Sequence, residues 1–340
     1  MIKIDDHTNS NLDQIAINFF DFLNPVINGS FIAHSIIRRI ERRRTIDNNL
    51  GEIQHVAFWD YLLKNNYEKL KALTISRPVI LKALIQEINA LFGNNLFSNQ
   101  IDYERANTTK FGAIVKHIFN YDTLYRRKSQ CEINTAFFNL SICPYCNENN
   151  VPVITIINKR TTLNYQMALH QLDHFYPQSR HPYLALSFFN LIPGCATCNS
   201  QLKGEKNFDI ETHFNPFDKR FDDYFQFKLE SIIINKVEDI KIGFLNKRMY
   251  QINVIEDFKI IERYNGAHKL PIYNMFLTIK NHSPKVRRSI MLQFVDFITD
   301  GSQRKLLLRA NGVTINKNEI NSLHISKLKR DIAIQLGVLR

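Results

Sequence analysis

Two Cys-x-x-Cys turns, Cys143-Pro-Tyr-Cys146 and Cys195-Ala-Thr-Cys198, constrain this chain more than any other feature. Each turn presents two sulfurs to one point, and four thiolates complete the tetrahedron that zinc prefers. Four of the five cysteines are used this way. In a reducing compartment that spacing favours a metal over disulfides, whereas a redox dithiol needs only one such turn in a strand-to-helix setting. The 48 residues between Cys146 and Cys195 exceed the gap of a compact zinc ribbon. A structural Zn²⁺ on Cys143, Cys146, Cys195 and Cys198 would staple both ends of an insert too small to hold itself together. Cys131 is left over and reads as a small buried hydrophobe.

Inside the insert stands Asp173-His174, and Asn199 follows the last cysteine directly. Histidine titrates near neutrality and can take a proton from water. A hard divalent cation, Mg²⁺ or Mn²⁺, takes carboxylate and amide oxygens, which Asp173 and Asn199 supply. Neighbours on a strand face opposite sides, so Asp173 can face a metal while His174 faces water. Asn190 is placed to pin the intervening loop. Lys203, one helical turn beyond Asn199, and Arg180 are candidates to meet phosphate oxygens. His170 is expected on the strand leading to Asp173, packed rather than ligating. His181 and His213 read as solvated loop histidines near the substrate, and His268, His282 and His324 carry no assignment.

Around the insert the texture is helical. Leu12, Ile15, Ala16, Phe19, Phe20 and Leu23 form one apolar stripe at helical spacing. Residues 31–44 continue with Ile36, Ile37 and Ile40 on one side. Arg38, Arg39, Arg42, Arg43 and Arg44 either reach phosphates or decorate an exposed face. Val56, Trp59, Leu62, Leu63 and Leu70 suggest a third helix; Ser76 is a plausible N-cap for a fourth, with Pro78 in its first turn and an end near Gly93. Val151–Ile157 and Leu163–Leu172 read as two β-strands joined by a turn at 158–161. Asn199–Lys203 looks like a short helix ended by Gly204. Phe225–Leu229 and Ser231–Asn235 suggest a small β appendage, followed by helices through Ile252–Ile261, Ile290–Phe297 and Ile320–Leu336. The expected architecture is α+β, in three stretches: helical 1–142, a zinc and catalytic insert 143–215, and a mostly helical 216–340.

The formal net charge of +12 is unevenly spread: +3 over 1–142, zero over 143–215 and +9 over 216–340. A basic field concentrates and steers a polyanion, so the tail is expected to hold nucleic-acid backbone, with Lys285, Arg287 and Arg288 as contacts. No stretch approaches the ~18 apolar residues of a membrane span, and Met1-Ile-Lys-Ile-Asp-Asp lacks the layout of a signal peptide. The expected location is the cytoplasm, with no membrane partner.

At Cys143, Cys146, Leu172-Asp173-His174-Phe175-Tyr176-Pro177, Asn190-Leu-Ile-Pro193 and Cys195-Ala-Thr-Cys198-Asn199, followed by Lys203-Gly204, the chain resembles the HNH endonucleases, or ββα-metal nucleases. The resemblance covers about 143–204. It implies a ββα-metal insert in which Asp173 and Asn199 bind the catalytic cation, His174 is the general base and Asn190 holds the loop. The positions that are often histidine in the family are Asp173, paired with His174, and Asn199 here. The Asp173–Ser179 stretch and Asn215-Pro216-Phe217 further resemble HNH proteins of bacterial anti-phage systems, Septu-like ones among them. That implies an antiviral role and an ATPase partner subunit. The expected activity is phosphodiester hydrolysis, on DNA ahead of RNA. The alternative is a zinc-knuckle module that binds nucleic acid or docks a partner without turnover.

Overall fold

The computed structural model describes residues 3–157, 164–248, 253–281, 305–306 and 308–339. The N-terminal part is a helical layer: α1 (Leu12–Leu23), α2 (Ile36–Asn49), α3 (Ile53–Ile75), α4 (Pro78–Phe92), α5 (Lys110–Ile118) and α6 (Ser129–Ala136). Side-chain caps start three of them. Asn11, Ser35 and Thr109 accept hydrogen bonds from the backbone N–H groups of Gln14, Arg38 and Gly112, filling donors that a helix start leaves bare. Helix α2 begins later than its apolar spacing suggests, because Ser30–Phe31 (β2) pairs with Val26–Ile27 (β1). In α3 the chain breaks at Lys64–Tyr67, where Asn65, Asn66 and Tyr67 take positive φ. Helix α4 is entered through Arg77 rather than Ser76, with no side-chain cap, and closes at Gly93 with φ +84°. Gly112 admits no side chain, since a Cβ there would lie 1.9 Å from the Phe97 carbonyl oxygen.

Among the described residues every sheet is a two-stranded antiparallel pair. After β3 (Ser98–Gln100) and β4 (Ala106–Thr108), the insert's first strands, β5 (Val153–Ile157) and β6 (Asn164–Ala168), pair antiparallel, and the turn expected at 158–161 lies outside the described residues. The chain does not run on as one strand to Leu172. It bends at Leu169-His170 and starts β7 (Gln171–His174), which pairs with β8 (Leu191–Gly194) so that Asp173 opposes Ile192 and His174 opposes Leu191. A short helical segment, Thr197–Lys203, follows β8 and ends at Gly204, φ +54°.

The β7–β8 loop is core rather than surface. Phe175, Tyr176, Tyr183, Leu184, Phe188 and Phe189 are all buried. Tyr183 packs on Phe97 and Phe58, Phe188 packs on Phe19, and the Ser187 hydroxyl donates to the Leu73 carbonyl. One hydrophobic cluster runs from Ile4 to Leu339, so the insert is braced by helices on both sides.

Past the insert, β9 (Phe225–Leu229) pairs with β10 (Ile242–Asn246). Ser231–Asn235, expected as the second strand, is instead irregular. Ser231 Oγ accepts from the Ile233 N–H, and Ile232 and Ile233 are exposed. Helices α7 (Asn253–Asp257) and α8 (Ile260–Ala267) are separated at Lys259, φ +48°, and α9 spans Lys269–Asn281. The last helix, α10 (Ser326–Gln335), starts later than Ile320, after Ile325 at φ +46°. Buried Lys327 pins it, with Nζ 2.5 Å from Asp222 and 2.6 Å from Asp331. The expected helix at Ile290–Phe297, and His282, Lys285, Arg287 and Arg288, lie outside the described residues. No helix among those described is long and apolar enough to cross a membrane.

Candidate metal centre and active site

Cys143, Cys146, Cys195 and Cys198 are buried, and their sulfurs all lie within 4.8 Å of one another. Four Zn–S bonds of ~2.3 Å in a tetrahedron put the sulfurs about 3.8 Å apart. Cys146 and Cys195 are at 3.9 Å. The four thiols can therefore hold a zinc ion. Donors already point at the sulfurs: the Cys195 N–H at Cys143 (3.4 Å), the Cys198 N–H at Cys195 (3.4 Å), the Asn149 amide at Cys195 (3.3 Å) and Arg263 at Cys198 (3.6 Å). Hydrogen bonds from Cys143 and its neighbours draw the Cys195 thiol down while burial pushes Cys143 up.

The C-terminal helices clamp this cluster. The Tyr264 hydroxyl donates to the Cys146 carbonyl at 2.6 Å. Glu148 receives Arg263 and, at 2.9 Å, His268 Nε2. The hydrogen bond from His268 holds the Glu148 carboxyl below its ordinary range against the cost of burial. His324 Nδ1 meets the Glu148 carbonyl at 2.5 Å. Asn147, fully buried at φ +54°, donates to the Ile320 carbonyl (2.8 Å) and accepts from the Lys327 N–H (2.9 Å) and the Ser326 hydroxyl (3.3 Å). None of these partners has a spacing signal in the sequence. They lie over 110 residues from the knuckle they support.

Asp173 is 2% exposed on β7. Its Oδ1 accepts from Lys203 Nζ at 2.8 Å and its Oδ2 from the Tyr145 hydroxyl at 2.6 Å. Tyr145 is the second variable residue of the first Cys-x-x-Cys turn, so that turn itself delivers a donor to Asp173. Lys203 is equally buried; its ammonium also donates to the His174 carbonyl at 2.7 Å and lies 5.2 Å from the Phe208 ring centre. In this structure it faces the protein, not solvent.

His174 is half-buried on the opposite face of β7. Its Nε2 sits 3.0 Å from the Ala185 carbonyl. A carbonyl can only accept, so Nε2 carries the hydrogen and Nδ1 is left as the acceptor. Burial lowers the His174 pKa, keeping the ring neutral. Tyr121 stacks edge-on against it at 4.9 Å.

Asn190 is wholly buried and spans the loop: Oδ1 accepts from the Tyr176 N–H (2.7 Å), and Nδ2 donates to the carbonyls of Tyr176 (3.1 Å) and Leu184 (3.2 Å). Asn199 is half-buried, its amide donating to Gln171 Oε1 at 3.0 Å; the Ser200 hydroxyl shares that acceptor at 2.6 Å. Asn199 thus meets β7 at Gln171, two residues before Asp173, whose own oxygens are taken by Lys203 and Tyr145. Asn199, Ser200, Gln171, His170, Tyr121 and Arg126 line a cavity of about 500 Å³.

The remaining candidates are inward-facing. Arg180 is 3% exposed, donating to the carbonyls of Asp102, Tyr103 and Arg105, and does not present its charge to solvent. His170 lies outside β7 and meets the Val151 carbonyl at 3.1 Å. His213 is buried rather than solvated, between Asp257 (2.9 Å) and the Tyr103 hydroxyl (3.0 Å). His181 is half-buried against Tyr183, and burial pushes its pKa down to about 4. Cys131 is buried. No family model, curated protein or solved structure matches the chain.

Proposed function

We propose that this chain is a metal-dependent HNH-type endonuclease that hydrolyses nucleic-acid phosphodiester bonds, DNA ahead of RNA. The observation that carries the reading is the state of His174. Its Nε2–H is committed to the Ala185 carbonyl, so Nδ1 of a neutral ring is the base, one residue from a carboxylate on the other face of the strand. Mere binding of nucleic acid requires no such arrangement. Further support comes from the local order of elements, β7, β8 and the helical segment Thr197–Lys203, with Cys195 and Cys198 at the junction of β8 and that segment and Cys143 and Cys146 packed beside them.

In the proposed reaction His174 Nδ1 takes a proton from water as its oxygen attacks phosphorus, and the P–O3′ bond breaks opposite it. The departing O3′ takes a proton from solvent, so the products carry a 5′-phosphate and a 3′-hydroxyl. Asp173 and Asn199 supply hard oxygen donors suited to Mg²⁺ or Mn²⁺. Such a cation, when bound, stabilises charge on the phosphate and the departing oxygen. Asp173 Oδ1 and the His174 carbonyl are met by the Lys203 ammonium, so Asp173 would have to exchange that partner to serve as a metal ligand. Asn190 fixes the loop that carries Ala185 and thereby the tautomer of His174. In a cell the role is that of a nuclease effector of anti-phage defence, with an ATPase partner.

One observation favours the second reading, a zinc-knuckle binding or docking module without turnover: both Asp173 oxygens are satisfied by protein donors. Cleavage titrated with Mg²⁺ and Mn²⁺ separates the two. As a nuclease, the protein should need more cation after Asn199→Ala, at unchanged zinc content. A metal requirement identical in Asn199→Ala and wild type would remove Asn199 from the site.

A further inference from the structure

Five arginines decorate α2, and they fall into two groups. Arg38 pairs with Glu41, Arg43 with Asp47 and Arg44 with Asp60. Arg39 and Arg42 have no carboxylate partner among the described residues. Arg39 donates to the His117 carbonyl at 2.5 Å, and Arg42 donates to the carbonyls of Arg38 (3.2 Å) and Ala33. Carbonyl bonds fix the direction of a guanidinium without cancelling its charge, and each group keeps N–H donors for a further acceptor. Both arginines line one cavity of about 620 Å³ with His34, His117, Asn120 and Thr123. Two like charges held together at a concave surface repel, and an anion between them relieves that cost.

The cavity's position adds the second argument. The segment from His117 to Arg126 is a shared wall. His117, Asn120 and Thr123 line the arginine cavity, whereas Tyr121 and Arg126 line the cavity that contains Asn199. Tyr121 also packs on His174. The insert carries no net charge, so its grip on a polyanion must come from neighbouring elements.

We infer that Arg39 and Arg42, on α2 of the helical N-terminal region, form a phosphate-binding subsite that holds the backbone of DNA running into the His174 site. The inference rests on the nuclease reading for what happens further along the strand, but not for the binding itself. Guanidinium forks match phosphate oxygens, and a chain of phosphates can span two adjoining cavities where a lone phosphate fills one. A free nucleotide offers the same phosphate chemistry and is distinguished by the test.

The experiment uses the full chain with zinc, in EDTA-free buffer lacking Mg²⁺ and Mn²⁺, and follows binding of a fluorescent 20-base-pair duplex by anisotropy across a salt series. Arg39→Ala/Arg42→Ala should weaken binding and lower the slope of log affinity against log salt by about 1.8, at about 0.9 per lost contact. Arg39→Lys/Arg42→Lys should recover most of the slope, which a mere packing defect would not; zinc content and melting temperature report the fold. His174→Ala should bind as wild type. Wild-type affinity and slope in the double alanine variant overturn the subsite, as does failure of the wild type to bind the duplex. Loss of ATP binding with an unchanged duplex slope overturns the backbone assignment in favour of a nucleotide. If His174→Ala cuts DNA like wild type while the double variant binds weakly, the nuclease assignment fails and the subsite stands.

Discussion

Lys203→Met tests the buried pair on which the insert closes. Lys203 and Asp173 are 1% and 2% exposed and 2.8 Å apart. At that separation their attraction is about 6 kcal/mol at an effective dielectric of ~20, most of it offset by desolvation of both charges. Removing one partner leaves the other charge buried, which costs roughly 3–5 kcal/mol. Here the Tyr145 hydroxyl still serves Asp173, while the His174 carbonyl loses its donor. The expected cost is therefore near the lower end, about 3 kcal/mol. Methionine retains most of the apolar stem that packs near Phe208, so the effect isolates the ammonium. Urea unfolding at pH 7 with excess zinc gives the single-variant cost. Asp173→Leu/Lys203→Met, which removes both charges, should be more stable than Lys203→Met alone. A Lys203→Met midpoint equal to wild type, or a double variant with simply additive losses, would refute the pair.

Three further outcomes follow from the same geometry. Cys198→Ser should lose the zinc, measured by elemental analysis at about one ion per wild-type chain, and should lower the melting temperature; a folded variant with full zinc would contradict the four-thiolate site. Asn147→Ala removes three side-chain hydrogen bonds and places a Cβ-bearing, non-amide residue at φ +54°, for a loss of about 3 kcal/mol; Asn147→Gly relieves the backbone part and should be roughly 1 kcal/mol milder. Burial holds His181 neutral with a pKa down at about 4, so its contribution is complete above the ordinary histidine value of ~6.5 and is lost as pH falls towards 4. Between pH 7 and pH 5 that loss is at most about 2 kcal/mol, and His181→Gln should flatten this limb in urea titrations; an equally steep limb would show that His181 does not drive it.

The cysteine cluster is legible because sulfur spacing is a local signal, and the four thiols do converge. The stripe of α1 and the short helix ended by Gly204 were legible for the same reason. What failed was whatever depends on distant partners. Ile232 and Ile233 carry strand propensity, yet β9 pairs with Ile242–Asn246 and leaves them in solvent; propensity does not choose a partner. Lys203, one turn beyond Asn199, and Arg180 read as phosphate contacts from their place in the sequence, yet both are buried. Their burial depends on Asp173 and on carbonyls of the β3–β4 region. Tyr145, Arg263 and Tyr264 carry no sequence signal, because nothing in a linear pattern announces a hydroxyl reaching a carboxylate 28 residues away, or a clamp from 118 residues away.

The proposed role of His174 Nδ1, activation of water in cation-dependent cleavage, is tested on plasmid DNA. Zinc-loaded wild-type protein and His174→Ala, matched for melting temperature and zinc content, should be incubated with supercoiled plasmid in Mg²⁺, Mn²⁺ or neither. Nicked and linear DNA should form with wild type only when Mg²⁺ or Mn²⁺ is present, with 5′-phosphate ends. The variant should be slower by on the order of 10²–10⁴-fold. Equal cleavage by His174→Ala, or intact plasmid with wild type under every condition, would rule this reaction out.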